Sequence, residues 1–255
     1  MSLKKSAFLQ GTNIVVFIAT VAVNALAGST TLLGGKMSGD ISDMYPTLIT
    51  PAGYTFSIWG VIYTLLLIFI VYQALPRNRK QSFLRQVGFL FALSGILNVL
   101  WLFLWHYELI TFSVMLMFAL LATLIAIYLR LDIGRVDVPL RERVCVHLPF
   151  SIYLGWITVA SIANVTVALT AVGWDGGGIE PVTWAMLVIV VAMLISLAVI
   201  ATRKDVAYSL VIVWALAGII VKQIENQTVV LTAEVSILIV LIAIVAMVVV
   251  SRVKR

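Results

Sequence analysis

Three sets of aromatic and amide side chains recur at helical spacing along this chain. Phe56, Trp59 and Tyr63 fall at i, i+3 and i+7; Asn98, Trp101 and Trp105 repeat that spacing; Tyr153, Trp156, Ala160 and Asn164 continue it. Flat aromatic walls with a few amide donors suit a large, planar, mostly apolar ligand, held by stacking and oriented by hydrogen bonds. Trp and Tyr also collect at membrane interfaces as anchoring belts, and Asn serves as glue between helices. Trp59, Asn98, Trp101 and Trp156, however, sit well inside their apolar segments. Other chemistry is poorly represented. The sequence contains no P-loop, HExxH or GxSxG motif and no paired carboxylates within an apolar segment. Its single cysteine, Cys145, excludes an internal disulfide or a multi-cysteine metal site. His106 and His147 fall near no second ligand and read as hydrogen-bonded histidines. No catalytic group, resident metal or required cofactor is expected.

The elements that must position these stripes are membrane helices. Of 255 residues, 62% are hydrophobic and 11% charged, which excludes a soluble globule. The net charge of +6 comes with a mean hydropathy of +1.13 and leaves no polar domain for a nucleic-acid surface. Apolar stretches near the roughly 20 residues that a spanning helix needs lie at about 9–27, 53–74, 87–105, 111–129, 147–172, 183–202, 206–221 and 228–250. Eight spans sort the charge well. The connections at one side hold 15 of the 17 basic residues, including Arg77, Arg135, Arg203, Lys254 and Arg255, while the other side keeps only Lys36 and Lys222. Positive charge stays on the cytoplasmic side, so both termini are expected there and the stripes in the outer half of the membrane. Lys4, Lys5 and Ala25-Leu26-Ala27 imitate a cleavable signal, but Gln10, Thr12 and Asn13 interrupt the apolar run and favour a retained span.

Composition divides the chain into residues 1–172, which carry the aromatic and amide stripes, and residues 173–255, dominated by Val, Ile, Leu and Ala. The first unit resembles the TspO/MBR family, the tryptophan-rich sensory proteins related to the translocator protein. Pro51-Ala52-Gly53-Tyr54-Thr55-Phe56-Ser57-Ile58-Trp59-Gly60-Val61-Ile62-Tyr63 is similar to the family's second-helix signature, and Leu97-Asn98-Val99-Leu100-Trp101 to its third-helix motif. Trp156, Ala160 and Asn164 keep the fifth-helix spacing; Pro149-Phe150 lies several residues upstream of where the family places its Pro-Tyr. The resemblance covers about residues 8–172.

The fold this implies is an all-α membrane protein: a five-helix transmembrane bundle enlarged by three C-terminal spans. The resemblance further implies a pocket roofed by residues 28–52 that binds a tetrapyrrole such as haem or protoporphyrin, or a sterol-like ligand. Carried over, its walls are Phe56, Trp59, Tyr63, Asn98, Trp101, Trp156, Ala160 and Asn164, to which the helical spacing adds Trp105 and Tyr153. The role expected is sensor, scavenger or regulator in a multi-pass protein of a prokaryotic plasma membrane. The partners are the bilayer and a hydrophobic small molecule, with no nucleic acid. Gly88, Ala92 and Gly95 form a small-residue face on the third span, away from the aromatic face, suited to a homodimer or to packing within the bundle. Glu234, about six residues into the last span, supports an alternative reading as a transporter or exporter, with Lys222 as its structural partner. A porphyrin-modifying enzyme ranks third, since no acid–base pair is visible.

Overall fold

The computed structural model describes residues 3–36 and 38–253; Lys254 and Arg255 lie outside the described residues. Eight long helices dominate: α1 (Leu3–Ser29), α2 (Ile58–Ala74, led in by a 3-10 turn Gly53–Ser57), α3 (Leu90–His106), α4 (Ile110–Arg130), α5 (Leu148–Ala171), α6 (Pro181–Arg203), α7 (Val206–Lys222) and α8 (Gln227–Val253). No strand occurs among the described residues. Among the described residues, six helical segments are long and apolar enough to cross a membrane. The shorter apolar helices α3 and α7, 17 residues each, rise about 25 Å.

Local sequence sets the helix ends. Pro181 opens α6, where its missing N–H costs nothing. Lys204 in the left-handed region ends that helix, and Asp205 at once caps α7 by accepting from the Tyr208 backbone N–H at 3.1 Å. Asn226 caps α8 through the Val229 N–H.

The first five helices close a ring in the order α1, α2, α5, α4, α3, with α3 returning to α1. The remaining helices form their own layer, α7 and α6 both packing on α8, and join the ring where α7 lies along α5. α5, in contact with three neighbours in the ring and extension, carries the longest buried run, Pro149–Ser151 and Tyr153–Thr158.

Polar contacts separate two ends of the bundle. At the basic end, Arg203 pairs with Asp132 at 2.6 Å, and Arg135 Nε donates to the Thr202 carbonyl. At the opposite end, here the lid end, Lys36 pairs with Glu108 and Lys222 with Asp43. Between them, Gln10 and Asn13 of α1 turn inward onto Gln73 of α2; Asn13 Nδ2 donates to Gln73 Oε1 at 3.0 Å. The polar residues that interrupt the first apolar run thus hold α1 in the bundle.

Part of the small-residue face packs within the bundle. A Cβ on Gly95 would lie 2.6 Å from Val16 Cγ1 and 2.7 Å from Thr20 Oγ1, so α1 lies against the face at this residue. Ala92 is buried, and Gly88 precedes α3, at the end of the short helix Ser82–Val87. Gly95→Val is expected to lower the unfolding free energy by about 1–3 kcal/mol through overpacking, read as a fall in thermal midpoint in detergent.

Candidate functional site

The stripes from α2, α3 and α5 meet inside the ring. Trp59 stacks on Tyr63 with ring centroids 5.5 Å apart and planes 15° from parallel. The same indole meets Tyr153 at 6.1 Å and Trp156 at 6.3 Å in edge-on contacts, and Phe56 closes against Trp156 at 5.9 Å. Edge-to-face and offset pairs of this kind are the geometries that aromatic quadrupoles favour. Five rings, from α5 and from α2 with its lead-in turn, thus form one cluster. Asn98, from α3, lies against the Tyr63 and Tyr153 side chains, and its Oδ1 accepts from Asn24 Nδ2 of α1 at 2.7 Å.

The second half of the predicted set behaves differently. Trp101 and Trp105 stack on each other at 5.7 Å. Trp101 Nε1 donates to Asn164 Oδ1 at 2.9 Å, and the Asn164 amide exchanges hydrogen bonds with the Ser113 hydroxyl of α4. Asn164 ties α3, α4 and α5 together, and its polar atoms are engaged within the protein. Ala160 is half-buried on α5.

Three fully buried polar atoms of the aromatic cluster make no hydrogen bond of good geometry: the Tyr63 hydroxyl and Asn98 Nδ2, which lie near each other without aligning, and Trp156 Nε1. Each can donate. A buried donor without an acceptor costs about 1–3 kcal/mol, so three in one cluster are a concentrated liability.

Among the described residues, cavities open away from the cluster, and none of the ten predicted residues lines either of the two described next; the predicted rings pack against one another. The larger cavity, about 1040 Å³, lies between α4, α5 and α6. A small one separates α5, α6 and α7. Sequence reasoning missed both, because each depends on how the C-terminal helices seat on α5.

The loop before α2 is held by α7. The Ala52 N–H donates to the Gly218 carbonyl at 3.0 Å, Trp214 Nε1 donates to the Thr55 carbonyl at 3.0 Å, and Gln223 Nε2 donates to the Thr47 carbonyl at 3.2 Å. Lys222 completes this set with its ion pair to Asp43, which corrects its expected pairing with Glu234. Glu234 itself is exposed on α8, outside the ring. A transport path inside the bundle would therefore find no acid at that position. His106 is buried at the end of α3 and its Nδ1 lies 2.9 Å from the Leu102 carbonyl, an intrahelical contact. Asp205, unnoticed in the sequence beside Arg203 and Lys204, is buried at the basic end and accepts from both Tyr128 and Ser151. No group of three potential metal ligands occurs among the described residues.

No curated protein and no solved structure matches the chain significantly. A family model described as TSPO-like protein matches residues 10–248. That span takes in the three stripes and also α6, α7 and most of α8, so the C-terminal layer falls within the matched region. With stripes, ring and family match in agreement, the chain is a multi-pass helical membrane protein that belongs to the TSPO-like protein family.

Proposed function

We propose that the chain binds a planar hydrophobic ligand of the tetrapyrrole class in the aromatic cluster of the lid-end half, and acts as a sensor, scavenger or regulator of that ligand. The observation that carries the reading is the trio of buried donors without a hydrogen bond of good geometry, the Tyr63 hydroxyl, Asn98 Nδ2 and Trp156 Nε1, set among stacked rings. A tetrapyrrole supplies what this cluster lacks: ring nitrogens and carboxylates to accept from the donors, and a flat π-face to stack on indole and phenol. The ligand would replace contacts between protein rings. Trp59 separates from Tyr63 and the loop over residues 42–52 lifts, while α5 and its Asn164 bonds stay in place as the fixed wall.

Titration of the purified full-length protein with protoporphyrin IX, followed by tryptophan quenching, tests this directly. Saturable quenching is expected, weakened at least tenfold in Trp59→Ala and in Asn98→Ala. Absence of saturation, or affinities unchanged in both variants, overturns it. The Trp101–Asn164 pair supplies a contrast: Asn164→Ala breaks bonds among α3, α4 and α5, so its main effect should be a lower thermal midpoint.

A further inference from the structure

The larger cavity has no counterpart in the aromatic cluster and needs α6 for one of its walls. It runs along α6 from Pro181 to Ile195, 14 residues or about 21 Å of helix, which exceeds the roughly 15 Å of hydrocarbon in one bilayer leaflet. Spread over that length, about 1040 Å³ gives a mean cross-section of about 50 Å², a slot wide enough to take an extended hydrocarbon chain with room to spare. Phe118 of α4 and Leu187 and Val191 of α6 line the slot and are nearly half exposed, so it opens sideways onto the surface that faces lipid. Its upper end is closed by the loops at residues 42–50 and 174–179.

The polar atoms in the slot favour one kind of head group. Thr158, Ser161, Thr166 and Thr170 on α5 each donate their hydroxyl proton to the carbonyl four residues back; Thr158 already accepts from the Tyr208 hydroxyl, and Ser161, Thr166 and Thr170 keep oxygen lone pairs. Trp184 Nε1 is spent on the Gly176 carbonyl, Gln223 on Thr47 and Lys222 on Asp43. Along α5 the remaining capacity is therefore to accept, while at the rim the Trp174 indole and one hydroxyl proton of the Thr47–Thr50 pair remain to donate. Asp43 and Asp175 against Lys222 also leave the rim one negative charge in excess, which disfavours an anionic head.

We infer that this slot is a second binding site, separate from the aromatic cluster, for a long-chain membrane amphiphile with a neutral, hydroxyl-bearing head. The chain enters laterally between α4 and α6, and the head donates to the α5 hydroxyls and the rim carboxylates beneath the two loops. Because residues 42–50 form part of its roof, an occupant braces the same loop that leads into α2.

The full-length protein in lipid nanodiscs tests this with a 1-alkylglycerol carrying a dibrominated octadecyl chain, whose bromines quench nearby indoles. Trp174 and Trp184 lie at the slot, and their signal is isolated by subtracting the Trp174→Phe/Trp184→Phe variant. Saturable quenching at a few mole per cent is expected, at least tenfold weaker with the dibrominated fatty acid of equal chain length. Val188→Phe, which fills the slot, and Val191→Phe, which narrows its exposed mouth without touching the core, should each weaken binding at least fivefold. If Val188→Phe does not fold, Val191→Phe alone decides. Quenching proportional to mole fraction without saturation, equal quenching by the two heads, or binding unaffected by Val191→Phe overturns the inference.

Discussion

Asp205→Ala is expected to destabilise the protein by about 3–5 kcal/mol, the cost of removing one side of a buried, charged hydrogen-bond set. The Asp205 carboxylate is 7% exposed and accepts three hydrogen bonds: from the Tyr208 N–H at 3.1 Å, the Tyr128 hydroxyl at 2.9 Å and the Ser151 hydroxyl at 2.7 Å. The first is an N-cap, worth about 1 kcal/mol by itself. The other two join α4 and α5 to the start of α7, and bonds to a charged acceptor each contribute roughly 1.5–3 kcal/mol. Alanine leaves all three donors buried without that acceptor. Asp205→Asn would keep the cap and, with the hydroxyls able to rotate, part of the rest, so stability should fall from the parent protein to Asp205→Asn and further to Asp205→Ala. Thermal unfolding in detergent, followed by circular dichroism, measures this. An Asp205→Ala midpoint indistinguishable from the parent protein would show that the carboxylate does not hold these donors. Adding Tyr128→Phe and Ser151→Ala to Asp205→Ala removes the orphaned hydroxyls and should recover part of the loss, as expected for residues of one network.

Gly218→Val should act at the other end of the same helix, and on binding as much as on stability. A Cβ at Gly218 would stand 2.1 Å from Thr55 Oγ1 and 2.9 Å from Pro51 Cβ, distances at which the chain before α2 must move. That chain is bonded to α7 through Ala52 and Thr55, and Phe56 of the aromatic cluster follows immediately. Shifting it disturbs the Phe56–Trp156 contact while leaving α5 in place. The expected result is a loss of about 1–3 kcal/mol in stability, as for overpacking elsewhere, and at least a tenfold weaker protoporphyrin titration with helix content unchanged. Thr55→Ala removes the two nearest Thr55 atoms and should restore much of both in the double variant. Full retention of affinity in Gly218→Val would mean that the C-terminal layer does not set the position of the loop.

These two sites differ in how far the sequence disclosed them. The three stripes were legible because helical period places i, i+3 and i+7 on one face, and apolar length places that face in a membrane helix. Their convergence on one interior followed from α2, α3 and α5 sharing a depth. The fate of the individual polar groups was not legible. Asn98 and Asn164 look alike in sequence, yet Asn164 is engaged by Trp101 and Ser113 while Asn98 keeps an amide N–H without a well-aligned acceptor beside the aromatic rings. Lys222 was read against the nearest acid along the last span, whereas the tertiary fold brings Asp43 to it from 179 positions away.

The charge pattern and apolar lengths determined by themselves that this is a helical membrane protein with aromatic stripes, because both depend on short-range periodicity and on the cost of placing charge in hydrocarbon. The seat of α7 on α5, the buried role of Asp205, the closed aromatic cluster and the slot beside α6 were decided only by the tertiary structure. Each is a contact between segments far apart in sequence, where the steric fit of a glycine or the reach of one side chain selects the partner. Local pattern records that a residue is small or polar; it does not record what stands opposite.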